Sequence, residues 1–191
     1  MALIDIDARE IHVKIVYFGP EMSGKTTSLQ AVASGVPAEC RGSFRSIASE
    51  SARTIFSDSL MIDLGTKLGF RLHWHLYTVP GQPRSTGARS AVIQGADGII
   101  FVADAVPLRA AENVAALSEL STLLKGLGKE MPDMPLVVSC NKADLPGALE
   151  PGIMASSLQV DPSSVFSTSA INRAGVFNSL RHVSRLVAAQ L

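Results

Sequence analysis

The chain has 191 residues, with 17 Lys plus Arg against 17 Asp plus Glu and a formal net charge of zero. That length suits one domain, residues 1–191, with a substantial core, and a neutral chain has no overall field to gather nucleic acid. A hydrophobic share of 47% with only 5% aromatics fits small aliphatic strands wrapped by Ala- and Leu-rich helices and argues against disorder.

The start, MALIDIDAREIHVK, lacks the basic and apolar regions of an export signal. The first strand is expected near Ile11–Phe18, followed by GPEMSGKT and a helix from about Gly24 to Ala33 that Gly35-Val36-Pro37 breaks. Glu39 to Ser59 is polar and patternless, the mark of a functional loop. Leu60–Leu64 and Phe70–Val79 read as a hairpin closed by Gly65 to Gly69, with Leu72, Trp74 and Leu76 on a buried face and Arg71, His73, His75 and Tyr77 on a polar one. A buried strand at Gly98–Ala103, a helix near Arg109–Gly126, strands at Leu136–Cys140 and Val165–Ser167, and a helix over Val176–Gln190 complete the order. Strands alternating with helices predict an α/β fold: a mostly parallel sheet with one antiparallel edge hairpin and helices on both faces.

The two cysteines, Cys40 and Cys140, are far apart and form no C-x-x-C pair, as in a reduced cytoplasmic protein. No apolar run approaches bilayer length, and neither an N-terminal Met-Gly nor a C-terminal Cys box is present, so no direct membrane anchor is expected.

Three motifs carry chemistry. Gly19 to Thr26, GPEMSGKT, satisfies G-x-x-x-x-G-K-[S/T] between a strand and a helix. Such a loop turns backbone N–H groups onto phosphate oxygens beside the positive end of a helix. Gly19, Glu21, Met22, Ser23, Gly24, Lys25, Thr26 and Thr27 are therefore the candidate phosphate-side residues, with Lys25 neutralising the β and γ phosphates and Thr26 offering a hydroxyl to Mg²⁺. Asn141-Lys142-Ala143-Asp144 follows an apolar strand. A carboxylate at Asp144 can accept two N–H bonds from a guanine edge, which adenine does not supply; Ser169 and Ala170 lie where a further base contact is expected. Pro80-Gly81-Gln82 follows Val79, and a Gln after a Gly that approaches the γ-phosphate is suited to orient an attacking water.

In this order the motifs resemble Ras-like small GTPases, and most closely the bacterial MglA (mutual gliding protein A) branch, over essentially the whole chain. The matching segments are KIVYFGPEMSGKTT, SARTIF, HLYTVPGQ, GADGIIFVAD and NKADLP, of which the T-V-P-G-Q string with Thr78 is most particular to that branch. The resemblance implies a GTP/GDP switch that hydrolyses GTP slowly, needs Mg²⁺ and is stimulated by a partner. It assigns Arg53 as an arginine finger in the same chain, Thr54 as the sensor of Mg²⁺ and γ-phosphate, and Gln82 as the water-orienting catalytic residue. Thr78 stands where most small GTPases have a metal-linked Asp, and Asp58 is the candidate replacement. A Roadblock-fold MglB-like homodimer is the implied activator, polarity or motility proteins the implied effectors, and the cytoplasm at a cell pole the implied location.

Two departures qualify that resemblance. Glu21 stands where relatives usually carry Gly, and its carboxylate adds repulsion in the space that γ-phosphate, Gln82 and an arginine finger must share, unless it swings outward to Arg53, Arg84 or a partner's Lys or is a neutral surface substitution. A GTP-loaded scaffold without hydrolysis is thus the alternative. Downstream of Gln82, Pro83-Arg84-Ser85-Thr86-Gly87 lacks the aromatic anchors that interfaces favour. An ATP-dependent P-loop kinase is the third class, and Asn141 with Asp144 speaks against it. No zinc site is expected at His73 and His75, because a His pair without a third His or a carboxylate is usually surface.

Overall fold

The computed structural model describes residues 2–47, 57–80 and 86–191. Strand β2 (Glu10–Phe18) is its axis. The strand's last four residues are buried, as a parallel strand covered on both faces requires. β1 (Leu3–Asp5) lies antiparallel beside its beginning. On one flank β5 (Phe70–Thr78) runs parallel to β2, with β4 (Ser57–Lys67) antiparallel to β5 and β3 (Arg45–Ile47) antiparallel to β4. On the other flank β6 (Gly98–Asp104), β7 (Leu136–Asn141) and β8 (Val165–Thr168) continue in parallel. The sheet order is therefore β3-β4-β5-β2-β6-β7-β8, and the chain reverses its direction of growth at β2.

Two helical layers follow from apolar spacing. α1 (Lys25–Gly35) and α5 (Val176–Ala188) cover one face, where Leu29, Val32, Val183 and Val187 meet Ile15, Leu76, Ile100 and Val137. The anticipated stripe of Val176, Leu180, Val183 and Val187 is the buried side of α5. α2 (Thr86–Ile93), α3 (Ala110–Gly126) and α4 (Pro151–Leu158) cover the other face, where Ile93, Leu120, Leu124 and Met154 meet Phe18, Ile99, Phe101 and Val138. The expected α/β architecture is thus present, with β1 and β3 as short antiparallel additions.

Three local details differ from expectation. The hairpin turn is two residues, Leu68 and Gly69, both with positive φ (54° and 85°), because the strands run on past Leu64 to Lys67. That primed geometry matches the strand twist. The polar stretch is not all loop: β3 and the start of β4 occupy part of it, while 48–56 lie outside the described residues. Finally, the expected polar face of β5 is half-buried, and His73 is 8% exposed.

Candidate functional site

β2 ends by feeding the loop between Phe18 and α1, at the C-terminal edge of the sheet where its growth reverses. That crevice is where open α/β sheets hold ligands. Two positions there admit only glycine. A Cβ on Gly19 (φ 144°) would lie 2.3 Å from the Val102 carbonyl oxygen, and one on Gly24 (φ 100°) would lie 2.3 Å from the Asn141 amide nitrogen. Met22 is left-handed as well, at φ 60°, a conformation that costs a non-glycine residue about 1 kcal/mol.

Lys25 is 6% exposed, and its ammonium donates to the carbonyls of Gly19 at 3.0 Å and Pro20 at 2.6 Å. Burial lowers its pKa to about 8; neighbouring Arg89 acts in the same direction and Glu21 opposes them. Ser23 is fully buried, and its hydroxyl has no hydrogen-bond partner among the described residues. A buried polar atom inside a loop of N–H groups calls for a ligand oxygen, so the loop's own chemistry fits phosphate.

The base side is joined to this loop by Asn141, at the end of β7 and 2% exposed. Its side-chain amide donates to the Ser23 carbonyl at 2.7 Å, while its oxygen accepts from the Ala170 N–H at 2.9 Å and from the Thr168 hydroxyl at 3.4 Å. Both ends of Asn141 are thus spent on tying the phosphate loop to the loop after β8. Asp144 is exposed and lines a cleft of about 270 Å³ with Met22, Gly24, Thr27, Lys142 and Ala170. Ser169 is buried at the foot of the same loop, where it pairs with Ala174. Met22, Gly24 and Thr27 of the first motif, Asn141, Lys142 and Asp144 of the second, and Ala170 therefore line one cleft.

Asp58, on β4, comes to the phosphate loop: the Thr26 hydroxyl donates to its Oδ2 at 2.6 Å, and the Thr78 hydroxyl reaches the same oxygen at 3.3 Å. Thr78 also accepts from the Asp58 N–H at 2.9 Å. A hydroxyl and a carboxylate side by side form the all-oxygen set that hard divalent cations take, so these residues fit Mg²⁺. Arg53, Thr54, Gly81, Gln82 and Arg84 lie outside the described residues. Glu21 is exposed, and its backbone carbonyl accepts from Arg109 at 2.7 Å.

Some partners were missed. Arg89 on α2 is 3% exposed, donates to the Pro80 carbonyl at 2.8 Å, pairs with Glu119 and lies over the Phe18 ring. Asp104, 1% exposed at the end of β6, accepts from Lys142 at 2.6 Å. Nothing in the local sequence marks either one, since the partners are 30 and 38 residues away. The ground given for the histidine expectation, that the pair lacks a third His or a carboxylate, needs correcting. A third imidazole and a carboxylate do lie beside the pair: His12 Nδ1 is 2.9 Å from His75 Nε2, His12 Nε2 is 3.0 Å from Glu10, and His73 is 3.6 Å from Glu10. These donors are turned toward one another, and among the described residues no group of three or more His, Cys, Asp or Glu is arranged to hold a metal ion.

Comparison with known proteins decides the family. The ADP-ribosylation factor (Arf) family matches residues 2–187. The chain belongs to this family of Ras-like small GTPases. It is also 38% identical, over all 191 residues and 98% of the relative, to the mutual gliding-motility protein MglA of Myxococcus xanthus (strain DK1622). As a small GTPase the protein binds guanine nucleotide and hydrolyses GTP. Among the described residues no helix is long and apolar enough to cross a membrane.

Within this GTPase the geometry sets three positions relative to one another. Lys25 is anchored on the carbonyls of the loop, Asp144 lines the cleft, and Asn141 ties the loop to the cleft's far side. Rigid spacing matters because a preorganised cradle loses less entropy when nucleotide enters.

Proposed function

We propose that this GTPase is a nucleotide-state switch of the mutual-gliding type: it holds Mg²⁺ and GTP, hydrolyses slowly alone, and presents different surfaces in its GTP and GDP states. The observation that carries this reading is the Thr26–Asp58 contact. It connects the phosphate loop directly to β4, and so to the hairpin and the polar segment before it. In this reading Thr26, with Thr54 and Asp58, holds the ion, which supplies charge neutralisation to the phosphates when bound. Arg53 offsets charge developing on the transferred phosphoryl group, and Gln82, backed by Gly81, orients the attacking water. A change at the γ-phosphate is then felt by β4 through Asp58, which biases a two-state segment.

The relative's name, a mutual gliding-motility protein, supports an output in cell polarity or motility. A Roadblock-domain MglB-like homodimer is the proposed activator, acting in the cytoplasm at a cell pole. A second reading rests on Glu21, whose carboxylate raises the Lys25 pKa and therefore acts on the phosphate side of the loop. Here the protein is a GTP-held scaffold. Single-turnover conversion of bound GTP to GDP separates the two, measured for wild type and Glu21→Gly with and without a Roadblock homodimer. Hydrolysis by wild type that the homodimer accelerates supports the switch. Hydrolysis by Glu21→Gly alone supports the scaffold, and none by either removes Gln82 and Arg53 from their roles.

A further inference from the structure

Glu21 and Met22 are exposed at the centre of the turn from Pro20 to Ser23, and the turn is held from two flanks. On one, Asn141 takes the Ser23 carbonyl; on the other, Arg109 Nη2 donates to the Glu21 carbonyl at 2.7 Å. Arg109 stands just before α3 and is itself held in place: its Nε is 2.5 Å from Glu112 and 3.8 Å from Asp104 Oδ2. That same Asp104 oxygen accepts from Lys142 of the guanine-side loop at 2.6 Å. The other Asp104 oxygen accepts from the Val106 N–H at 3.0 Å. One buried carboxylate thus lies between a cation that reaches the phosphate loop and a cation of the base loop.

We propose that Arg109 is a positioning residue that clamps the phosphate loop and sets how long nucleotide stays bound. The peptide bond after Glu21 is planar and trans, so its C=O and the N–H of Met22 point in opposite directions. An arginine outside the loop that fixes the carbonyl outward therefore aims the Met22 N–H at the loop's interior, where phosphate oxygens sit. The contact is to the main chain, so it acts whatever side chain position 21 carries. It also accounts for a left-handed Met22 in an exposed turn, since a strained residue persists only where its surroundings hold it. Lysine cannot replace this arginine, because one ammonium cannot face Glu112 and the Glu21 carbonyl through two separate nitrogens.

The inference rests on nucleotide occupying this loop, and its test distinguishes the two. Release of a fluorescent (mant) GDP is followed for the full chain with Mg²⁺, in wild type, Arg109→Ala, Arg109→Lys and the exposed neighbour control Leu108→Ala. Loss of one charge-assisted hydrogen bond should speed release about 10- to 100-fold in Arg109→Ala and nearly as much in Arg109→Lys. Leu108→Ala should release at the wild-type rate. Guanosine, which has no phosphate, is measured alongside by ligand-observed NMR, and its affinity should stay within about twofold. Release from both Arg109 variants within about twofold of wild type overturns the clamp, and so does guanosine weakened as much as GDP. Wild type that fails to bind mant-GDP overturns the nucleotide reading itself.

Discussion

The two ends of β2 lie in the same sheet and make opposite use of polar groups. At its C-terminal end Ile15 to Phe18 are buried, and the loop that follows has its main-chain carbonyls held by Lys25, Asn141 and Arg109. At its N-terminal end Glu10 and His12 are half-exposed and share hydrogen bonds with His75 of β5. The second end carries the imidazoles, the side chains that titrate nearest neutral pH. The first end is the proposed nucleotide site, because sheet growth reverses at β2 and opens a crevice there. Topology, more than the inventory of reactive side chains, decides where the ligand goes.

That contrast breaks most readily at the loop end. Lys25→Ala is expected to weaken GDP and GTP by at least about 100-fold in calorimetric titration, since it removes the buried cation proposed to neutralise the phosphates. Next in size, Asp144→Asn should weaken guanine nucleotides by about 100-fold and admit xanthosine nucleotides, because one of the two carboxylate acceptors is exchanged for a donor. Asn141→Ala should lower unfolding stability by about 1–3 kcal/mol in denaturant titration and weaken nucleotide together with it, since the Ser23 carbonyl and Ala170 N–H lose their buried partner.

The smallest effect is expected at the opposite end. Burial, then the nearby His12 and His73, lowers the His75 pKa from its ordinary value of 6.5. The unfolded chain therefore takes up this proton first as the pH falls. The stability contribution is complete above about 6.5 and is lost as pH drops through that value toward the folded pKa. Because the site is half-exposed, the loss should stay below about 1 kcal/mol. His75→Gln should flatten the stability profile between about pH 7 and 5 and leave GDP affinity at pH 7.5 unchanged. A fall in affinity at pH 7.5 would mean that the two ends are coupled through β2.

The motifs GPEMSGKT and NKAD were legible because each acts through groups contiguous in sequence: a turn that needs glycine and a carboxylate just past a strand. The strands and helices of strong period were legible for the same reason. The three-residue strands β1 and β3 are too short to display a period, and the turn at Leu68-Gly69 depends on how far two strands pair. Asp58 beside Thr26, Arg109 on the Glu21 carbonyl and His12 beside His75 join residues 32, 88 and 63 positions apart. The sequence by itself determined the fold class and marked the residues proposed to meet phosphate and guanine, because propensity, glycine geometry and side-chain chemistry are local. Only the tertiary structure decided which distant groups hold those residues in place, because hydrogen bonding between elements depends on sheet order and register, which no short stretch of chain encodes.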